Sequence, residues 1–424
     1  MVGEHRLTTL DSGVRVITER MGSVRSVATG IWIATGSSLE DEPEAGLSHL
    51  VEHMLFRGTA RFASGEIDRR FDAMGAEINA VTGKETTSVA SRVLDRDLEQ
   101  ALDVMADMVW RPALRDEDLR QEREIVLEEL AMYEDDPQDK VFDVLTGAVF
   151  PGHPLGRAVL GRAEVVAGAT PEQLGAFHGE RYVPGRVVVS AAGVVDHDEL
   201  CALVERLGVE RTGVAGPERA TTPAPTAARI DFRRKDTEQV HVCLGAPGLA
   251  RDDDRRFGLH VLDALLGGTP SSRLFQAVRE ERGLAYSVFT FQSAWSLTGQ
   301  VGLYVGTRPE NLAETMAVVA DELERVRDEA PGEEELERAR AHVIGATMLS
   351  LESPSARMHR LGATLLADMP LLTLDELEAR YRAVTAADVQ GLAAELLAAD
   401  RLSAAAVGPD EDAFRAALAP VLPA

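Results

Sequence analysis

The sequence predicts two similar domains, each a mixture of β-strands and helices. The chain has 424 residues, of which 45% are hydrophobic. This length is too great for one comfortable core but suits two domains of about 200 residues each. Residues 213–229 are rich in Pro, Ala, Thr and Gly and show neither a helical nor a strand period, which is typical of a linker. We therefore expect domains at residues 1–212 and 230–424.

The two halves also share the order of their predicted elements. Each opens with strand-like runs, followed by a charged turn and a helix. After the turn, GLSHLVEHMLFRGT at residues 46–59 matches GLHVLDALLGGT at residues 258–269, because both contain a Gly-Leu pair, a histidine, an acidic residue three positions later and a final Gly-Thr. A repeat of about 200 residues is far longer than a solenoid repeat, so it indicates a duplicated domain.

Composition argues against several classes of protein. A formal net charge of −26 disfavours nucleic acid as a partner, because like charges repel and no basic stripe compensates. The two cysteines, Cys201 and Cys243, cannot form a disulfide framework, which fits a reducing compartment. No apolar run resembles a signal peptide or approaches the length of a membrane span. We expect a cytoplasmic protein that binds neither nucleic acid nor membranes.

The helix predicted in residues 46–59 carries two histidines around a glutamate. His49 and His53 are four positions apart, so they lie on one helix face and can direct two imidazoles at one metal ion. Hydrolytic zinc sites take three protein ligands and a water molecule whose pKa falls to about 7, and a nearby carboxylate can accept the water's proton. Glu52 is placed for that role. A packed or solvated helix can also carry histidines, so the interpretation needs a third ligand.

Acidic residues in a second predicted helix are candidates for that ligand. Residues 121–137, QEREIVLEELAMYEDDP, have a helical apolar stripe, and Glu122 and Glu129 lie seven positions apart on one face. Most of the acidic side chains in this segment fit an ordinary solvated surface. The second half has Ala264 where the first has His53, so we expect one metal ion per chain, bound by the first half.

The motif HLVEHMLFRGT, followed by REIVLEEL, resembles the pitrilysin and insulinase group of zinc metallopeptidases, in particular mitochondrial processing peptidase and its bacterial two-domain relatives. The resemblance implies an α+β fold of two homologous domains, each an antiparallel sheet with helices, on either side of a cavity. It also implies that His49, His53 and Glu129 bind zinc. Glu52 is then the catalytic base, and Glu122 supports the site from behind the ligands.

Two further segments match that group. EINAVTGKETT at residues 77–87 resembles the strand that pairs with the substrate main chain, with Asn79 and Ala80 at the matching positions. In the second half, Arg279 and Tyr286 match an arginine and a tyrosine that reach the zinc site and hold the substrate, although this segment also fits an amphipathic helix that ends at a glycine. The resemblance implies an endopeptidase that cleaves short or unfolded peptides.

Partners and alternatives follow from the same resemblance. Insulin-degrading relatives carry four such domains in one polypeptide. This chain has two, so a closed chamber would need a second chain, either as a homodimer or as a heterodimer with a zinc-free paralogue. Residues 265–274 resemble the glycine-rich segment of noncatalytic subunits. One alternative is therefore a noncatalytic scaffold of the same fold, which predicts a broken zinc motif. Another is a different zinc hydrolase chemistry, such as lyase or deaminase action on a small molecule. The intact motif and the peptide-pairing strand favour the peptidase.

Overall fold

The computed structural model describes residues 5–208, 222–224 and 226–422, and it divides into two compact units. The described strands are β1 His5–Thr9, β2 Arg15–Arg20, β3 Ser26–Ile33, β4 Glu77–Thr82, β5 Thr87–Leu94, β6 Val187–Gly193, β7 Ile230–Arg234, β8 Val240–Gly248, β9 Ala285–Ala294, β10 Gly299–Thr307 and β11 Ser403–Gly408. The described α-helices are α1 Leu47–Leu55, α2 Glu66–Met74, α3 Leu98–Trp110, α4 Asp116–Asp135, α5 Pro137–Val149, α6 Ala163–Gly168, α7 Pro171–Arg181, α8 His197–Leu207, α9 Arg256–Leu266, α10 Leu312–Asp328, α11 Glu333–Ser350, α12 Pro354–Leu366, α13 Leu374–Arg382, α14 Ala386–Leu396 and α15 Glu411–Ala417.

The first unit is built on a six-stranded sheet in the order β1-β2-β6-β3-β5-β4. Neighbouring strands are antiparallel, except that β2 and β6 run parallel. Apolar side chains of β3 and β5 form a core with those of α1, α2, α3 and α7 on one face of the sheet. Strand β4 lies at the edge and is hydrogen-bonded to β5 on one side.

The second unit repeats this topology with one strand fewer. Its five-stranded sheet has the order β7-β11-β8-β10-β9, and only β7 and β11 are parallel. In chain order, β7 to β11 take the places of β2 to β6, so the two sheets have the same connectivity. This confirms the predicted fold class of two similar domains with largely antiparallel sheets and helices.

The compact units differ from the predicted sequence halves, residues 1–212 and 230–424, because each includes a helix from the other half. The first unit takes Met348–Leu372, and the second takes Ala131–Arg157. Helix α5 packs on the second sheet, where Leu145 joins a buried cluster with Cys243 and Tyr304. The apolar face of α5 is therefore buried against strands that are encoded in the second half of the chain. The predicted linker at 213–229 lies mostly outside the described residues, and its described part forms neither helix nor strand.

Helix α12 is the counterpart of α5 and covers the other face of the first sheet. Met358 and Leu361 are buried there against Trp32 and neighbouring strand residues. The approach is close, because a Cβ atom at Gly362 would collide with the indole of Trp32. The indole N–H of Trp32 donates to Ser190 Oγ at 2.7 Å, which fixes the ring under the helix. The first sheet is thus buried on both faces only when residues of the second half are in place.

None of the described helices combines the length and the apolar character needed to cross a bilayer.

Candidate metal centre

Helix α1 presents the histidine motif, and a buried glutamate fixes where it starts. Both carboxylate oxygens of Glu40 accept backbone N–H groups of the first turn, from Gly46 at 2.9 Å and from Ser48 at 2.7 Å. These bonds satisfy donors that a helix start leaves without partners. Leu50 and Met54 are fully buried in the core, so the opposite face of the helix carries the motif. The helix therefore holds its histidines on a rigid framework.

His49, His53 and Glu129 form the one metal-ligand group of three found among the described residues. Their ligand atoms all lie within 4.8 Å of one another. Glu129 Oε2 is 3.7 Å from His49 Nε2 and 3.5 Å from His53 Nε2. Ligand atoms about 2 Å from a tetrahedral zinc ion are separated by about 3.3 Å, so the three side chains need only small adjustments to share one ion. The set leaves a fourth position for water or substrate.

The neutral state of His49 and the orientation of His53 suit a metal ligand, although the bond to Glu122 raises the pKa of His53. Burial, with a smaller contribution from His53, lowers the pKa of His49 to about 4, so the ring is neutral near pH 7. The His53 Nδ1–H donates to Glu122 Oε2 at 2.9 Å, which leaves Nε2 as the nitrogen that faces Glu129. Two imidazole nitrogens and one carboxylate are a donor set that zinc takes in hydrolytic sites. The residues present therefore fit the implied zinc ion.

Glu122 lies behind His53 and is itself held by an arginine. Its side chain is 5% exposed, and its Oε1 accepts a hydrogen bond from Nε of Arg57. Burial alone would raise the pKa of Glu122, but its bonds to His53 and the positive charge of Arg57 outweigh burial and lower it. The carboxylate therefore stays ionised and orients the His53 ring. The sequence alone did not indicate a role for Arg57, although it lies four positions after His53 within the motif.

The loop after α1 is fixed by its neighbours. Arg115 donates to the backbone carbonyls of Arg57 at 3.4 Å and Thr59 at 3.0 Å. Gly58 has a φ of +100°, and a Cβ atom there would lie 2.6 Å from the carbonyl oxygen of Phe62. Thr59 Oγ1 donates to the buried carboxylate of Asp107. This turn therefore explains the Gly-Thr end of the motif, and it places Arg57 beside Glu122.

Glu52 lies on α1 beside the ligand group without belonging to it. It is half-buried, and one oxygen, Oε2, accepts a hydrogen bond from Oγ1 of Thr82 at the end of β4. Burial raises the pKa of Glu52, and the bonds from Thr82 partly oppose the rise. A carboxylate that is close to the metal ligands but not among them is what a general base requires. Thr82 is a second contact that the sequence analysis missed.

Asn79 and Ala80 lie on β4, as the resemblance implies. They pair with Ala90 and Val89 of β5, and no strand pairs with the other edge of β4 in the described sheet. Ala80 is buried, whereas Asn79 is exposed on the opposite face. The unpaired edge can accept an additional extended segment.

Arg279 and Tyr286 lie together in the second unit. A π-helical segment, Phe275–Glu280, takes the place of the longer amphipathic helix expected to end at Gly283. The Arg279 guanidinium lies over the ring of Tyr286 at 4.6 Å. Tyr286 is 77% exposed, so its hydroxyl is accessible to solvent. That these two side chains act at the zinc site stays a prediction.

Comparison with known proteins identifies the family. Residues 15–163 match the family model described as insulinase, peptidase family M16, and residues 168–343 match the one described as peptidase M16 inactive domain. An uncharacterized zinc protease of Streptomyces coelicolor is 40% identical over 419 residues, which cover 97% of this chain and 91% of the relative. The chain belongs to peptidase family M16. An uncharacterized zinc protease of Bacillus subtilis is 38% identical over 92% of this chain and 95% of its own.

Solved structures support the M16 fold. A crystal structure of a peptidase M16 inactive domain from Pseudomonas fluorescens has a TM-score of 0.90 at 23% identity and covers 96% of this chain and 98% of that chain. A protease from Helicobacter pylori has a TM-score of 0.89 at 21% identity and covers 96% of this chain and 100% of that chain. At this identity the likeness establishes the fold alone. The resemblance proposed from the sequence motifs is thus confirmed at the level of the family.

No such ligand group occurs among the described residues of the part of this M16 chain that matches the inactive-domain model. Ala264 is buried in α9 at the place that His53 has in α1. The neighbouring histidine, His260, has its Nδ1 2.8 Å from the hydroxyl of Tyr381, and burial lowers its pKa. Within the described residues, the metal-ligand chemistry is therefore confined to the first half of the M16 chain.

We expect Glu122→Gln to weaken zinc binding by about 10- to 100-fold, the usual effect of removing a partner that orients a metal ligand. Glutamine keeps one acceptor oxygen for His53 but cannot neutralise Arg57. Competition with a fluorescent chelator measures the change in affinity. Glu124→Gln, on the exposed side of the same helix, is the matched control and should bind zinc like the wild type. Equal affinity in both variants would show that Glu122 does not orient the site.

Proposed function

We propose that this M16 protein is a zinc-dependent endopeptidase that cleaves short or unfolded peptides. The observation that carries the proposal is the group of His49, His53 and Glu129 with a separate carboxylate, Glu52, on the same helix as the histidines. A structural metal site uses all its ligands for binding, whereas a catalytic site keeps an open position and a base next to it. The names of the related proteins, which are zinc proteases, agree with this chemistry.

The proposed roles of the residues follow from their positions. His49, His53 and Glu129 would hold zinc, which supplies a lowered water pKa and polarisation of the scissile carbonyl. Glu52 accepts the proton of the attacking water and passes it to the nitrogen of the departing amine. Glu122 and Arg57 keep the ring of His53 in place throughout, so the donor set need not rearrange during the reaction.

The proposed substrate is an extended peptide segment. Among the described strands, β4 has one unpaired edge, and it packs against α1, the helix that carries the histidine motif. A peptide that adds to this edge is held through main-chain hydrogen bonds, which select for an extended backbone more than for particular side chains. A segment already hydrogen-bonded within a stable fold cannot form these bonds. The proposal therefore covers peptides and unfolded chains, with neutral or basic sequences favoured only weakly by the acidic charge of the protein.

The proposal is tested with a library of internally quenched peptides. Purified protein should cleave members of the library, lose this activity on treatment with a zinc chelator and recover it when zinc is returned. Glu52→Gln protein, prepared in the same way, controls for contaminating peptidases. Absence of cleavage by the zinc-loaded wild type would favour the alternative of a noncatalytic partner subunit. Hydrolysis of small amides or esters without peptide cleavage would favour a different zinc hydrolase.

A peptide locked in a stable fold should be cleaved at least about tenfold more slowly than the same peptide in linear form, because pairing with β4 requires a free backbone. A disulfide-bonded hairpin and its reduced, alkylated form are a suitable pair. Mass spectrometry gives the initial rates and the cleavage positions. Equal rates for the two forms would contradict strand pairing as the mode of recognition.

A further inference from the structure

The hydrogen bond between Thr82 and Glu52 links the edge strand to the candidate base. Thr82 is the last residue of β4, and its Oγ1–H donates to Glu52 Oε2. We propose that Thr82 is a positioning residue that fixes the carboxylate of Glu52 for proton transfer. Strand β4 would then set the register of the bound peptide and the orientation of the base together. This inference rests on the proposed peptidase function and adds a residue to its machinery.

The direction of the Thr82 hydroxyl follows from the pleat of β4. Side chains alternate between the two faces of a strand. Ala80 is buried and Thr82 half-buried on the face towards α1, whereas Asn79 and Val81 are exposed, Val81 by 55%. Threonine is β-branched, so its χ1 angle is restricted in a strand. The strand backbone therefore determines where the hydroxyl lies.

The turn after β4 holds Thr82 from its other side. The backbone N–H of Ser37 donates to the carbonyl of Gly83 at 3.1 Å. Ser38 donates to the carbonyl of Lys84 through its N–H at 2.8 Å and through its hydroxyl at 2.6 Å. These bonds tie the hairpin to the segment that precedes α1. The end of β4 is therefore anchored to the segment that leads into α1, and Thr82 contacts Glu52 farther along that helix.

The bond restricts the orientation of the Glu52 carboxylate. An ionised carboxylate only accepts hydrogen bonds, so its two oxygens must find donors or water. The Thr82 hydroxyl supplies one of these donors, to Oε2. A glutamate without this bond has several rotamers, and only some place an oxygen against the attacking water. The hydroxyl thus supplies orientation without taking part in the proton transfer.

The same strand carries the proposed substrate contacts. Thr82 is three residues beyond Asn79, a distance of about 10 Å along a strand. A peptide paired with β4 would therefore lie in fixed register with the hydroxyl that holds the base. Small errors in the placement of reacting groups, about 1 Å, can cost about 100-fold in rate. Coupling both functions to one strand limits such errors.

The test compares Thr82→Val and Thr82→Ser with the zinc-loaded wild type on a linear quenched peptide. Valine keeps the shape of threonine but has no hydroxyl, so we expect a kcat lower by about 10- to 100-fold with KM changed less than about threefold. Serine keeps the hydroxyl and should recover most of the lost rate. Zinc content should equal that of the wild type in both variants. Thr170→Val removes a threonine hydroxyl that caps α7, so it should lower the melting temperature without lowering kcat.

Three results would overturn the inference: a Thr82→Val kcat within about twofold of the wild type, equal losses in the valine and serine variants, or loss of zinc from Thr82→Val. Crystal structures of the metal-free wild type and Thr82→Val provide a readout that does not depend on activity. We expect the Glu52 carboxylate to move or to become disordered in the variant, and an unchanged carboxylate would also overturn the inference. An inactive wild type would count against the proposed function, and these structures would still test the contact.

Discussion

Glu52→Gln should leave the zinc content unchanged and lower peptide turnover by at least about 100-fold, because a neutral amide accepts a hydrogen bond but cannot take a proton. Its side-chain oxygen can still accept the bond from Thr82, so the change removes the basic group while keeping the size of the side chain. Metal analysis by mass spectrometry and single-peptide kinetics measure the two quantities on the same preparation. Retention of more than about a tenth of the activity would exclude Glu52 as the base.

Two further variants make that result specific. His49→Ala should lose both zinc and activity, because one of three ligands is missing. Glu172→Gln, on the exposed first turn of α7, removes a glutamate far along the chain from the motif and should change neither. A metal-loaded but inactive Glu52→Gln, set against a metal-free His49→Ala, separates base catalysis from metal binding.

Residues 1–212, produced alone, should fail to form a stable, zinc-binding domain. This fragment lacks α12, which buries Met358, Leu361, Leu365 and Leu366 on the first sheet. At roughly 1.5–3 kcal/mol for each buried side chain, the loss is on the order of 6–12 kcal/mol, comparable with the whole stability of a typical domain. We expect no cooperative thermal transition, and weak zinc binding at most.

Complementation distinguishes a missing helix from other causes of instability. Co-expression with residues 226–424 supplies α12 in trans and should restore folding, zinc binding and part of the activity. A second fragment, in which residues 348–372 are joined to residues 1–212 by a flexible linker, should regain a cooperative transition without the rest of the second half. Cooperative unfolding of residues 1–212 alone would contradict the assigned role of α12.

The sequence predicted the ligand group because helical spacing carries the information. His49 and His53 are one turn apart, and Glu129 follows from the resemblance to the peptidase group. Arg57 and Thr82 could not be predicted in the same way, because their contacts depend on where α4 and β4 pack. Thr82 is 30 residues from Glu52 in the sequence, and no local pattern indicates a hydrogen bond over that separation.

The duplication was predictable, but the exchange of helices was not. The matching motifs at His49 and His260 indicate two similar domains, and the repeated strand order agrees. An apolar helix face shows only that the helix is buried, without specifying the sheet that buries it. The linker at residues 213–229 suggested a division at one point in the chain. Helices α5 and α12 instead belong to the units encoded mainly by the opposite halves.

The position of α12 in the chain affects the order of events during synthesis. Proteins leave the ribosome from the N-terminus, so His49, His53 and Glu129 emerge long before the helix that completes their sheet. A nascent chain therefore carries all the metal ligands before it has the framework that holds them together. The first unit completes its sheet only after synthesis has passed Leu372, so we expect zinc binding and any peptidase activity to follow that point.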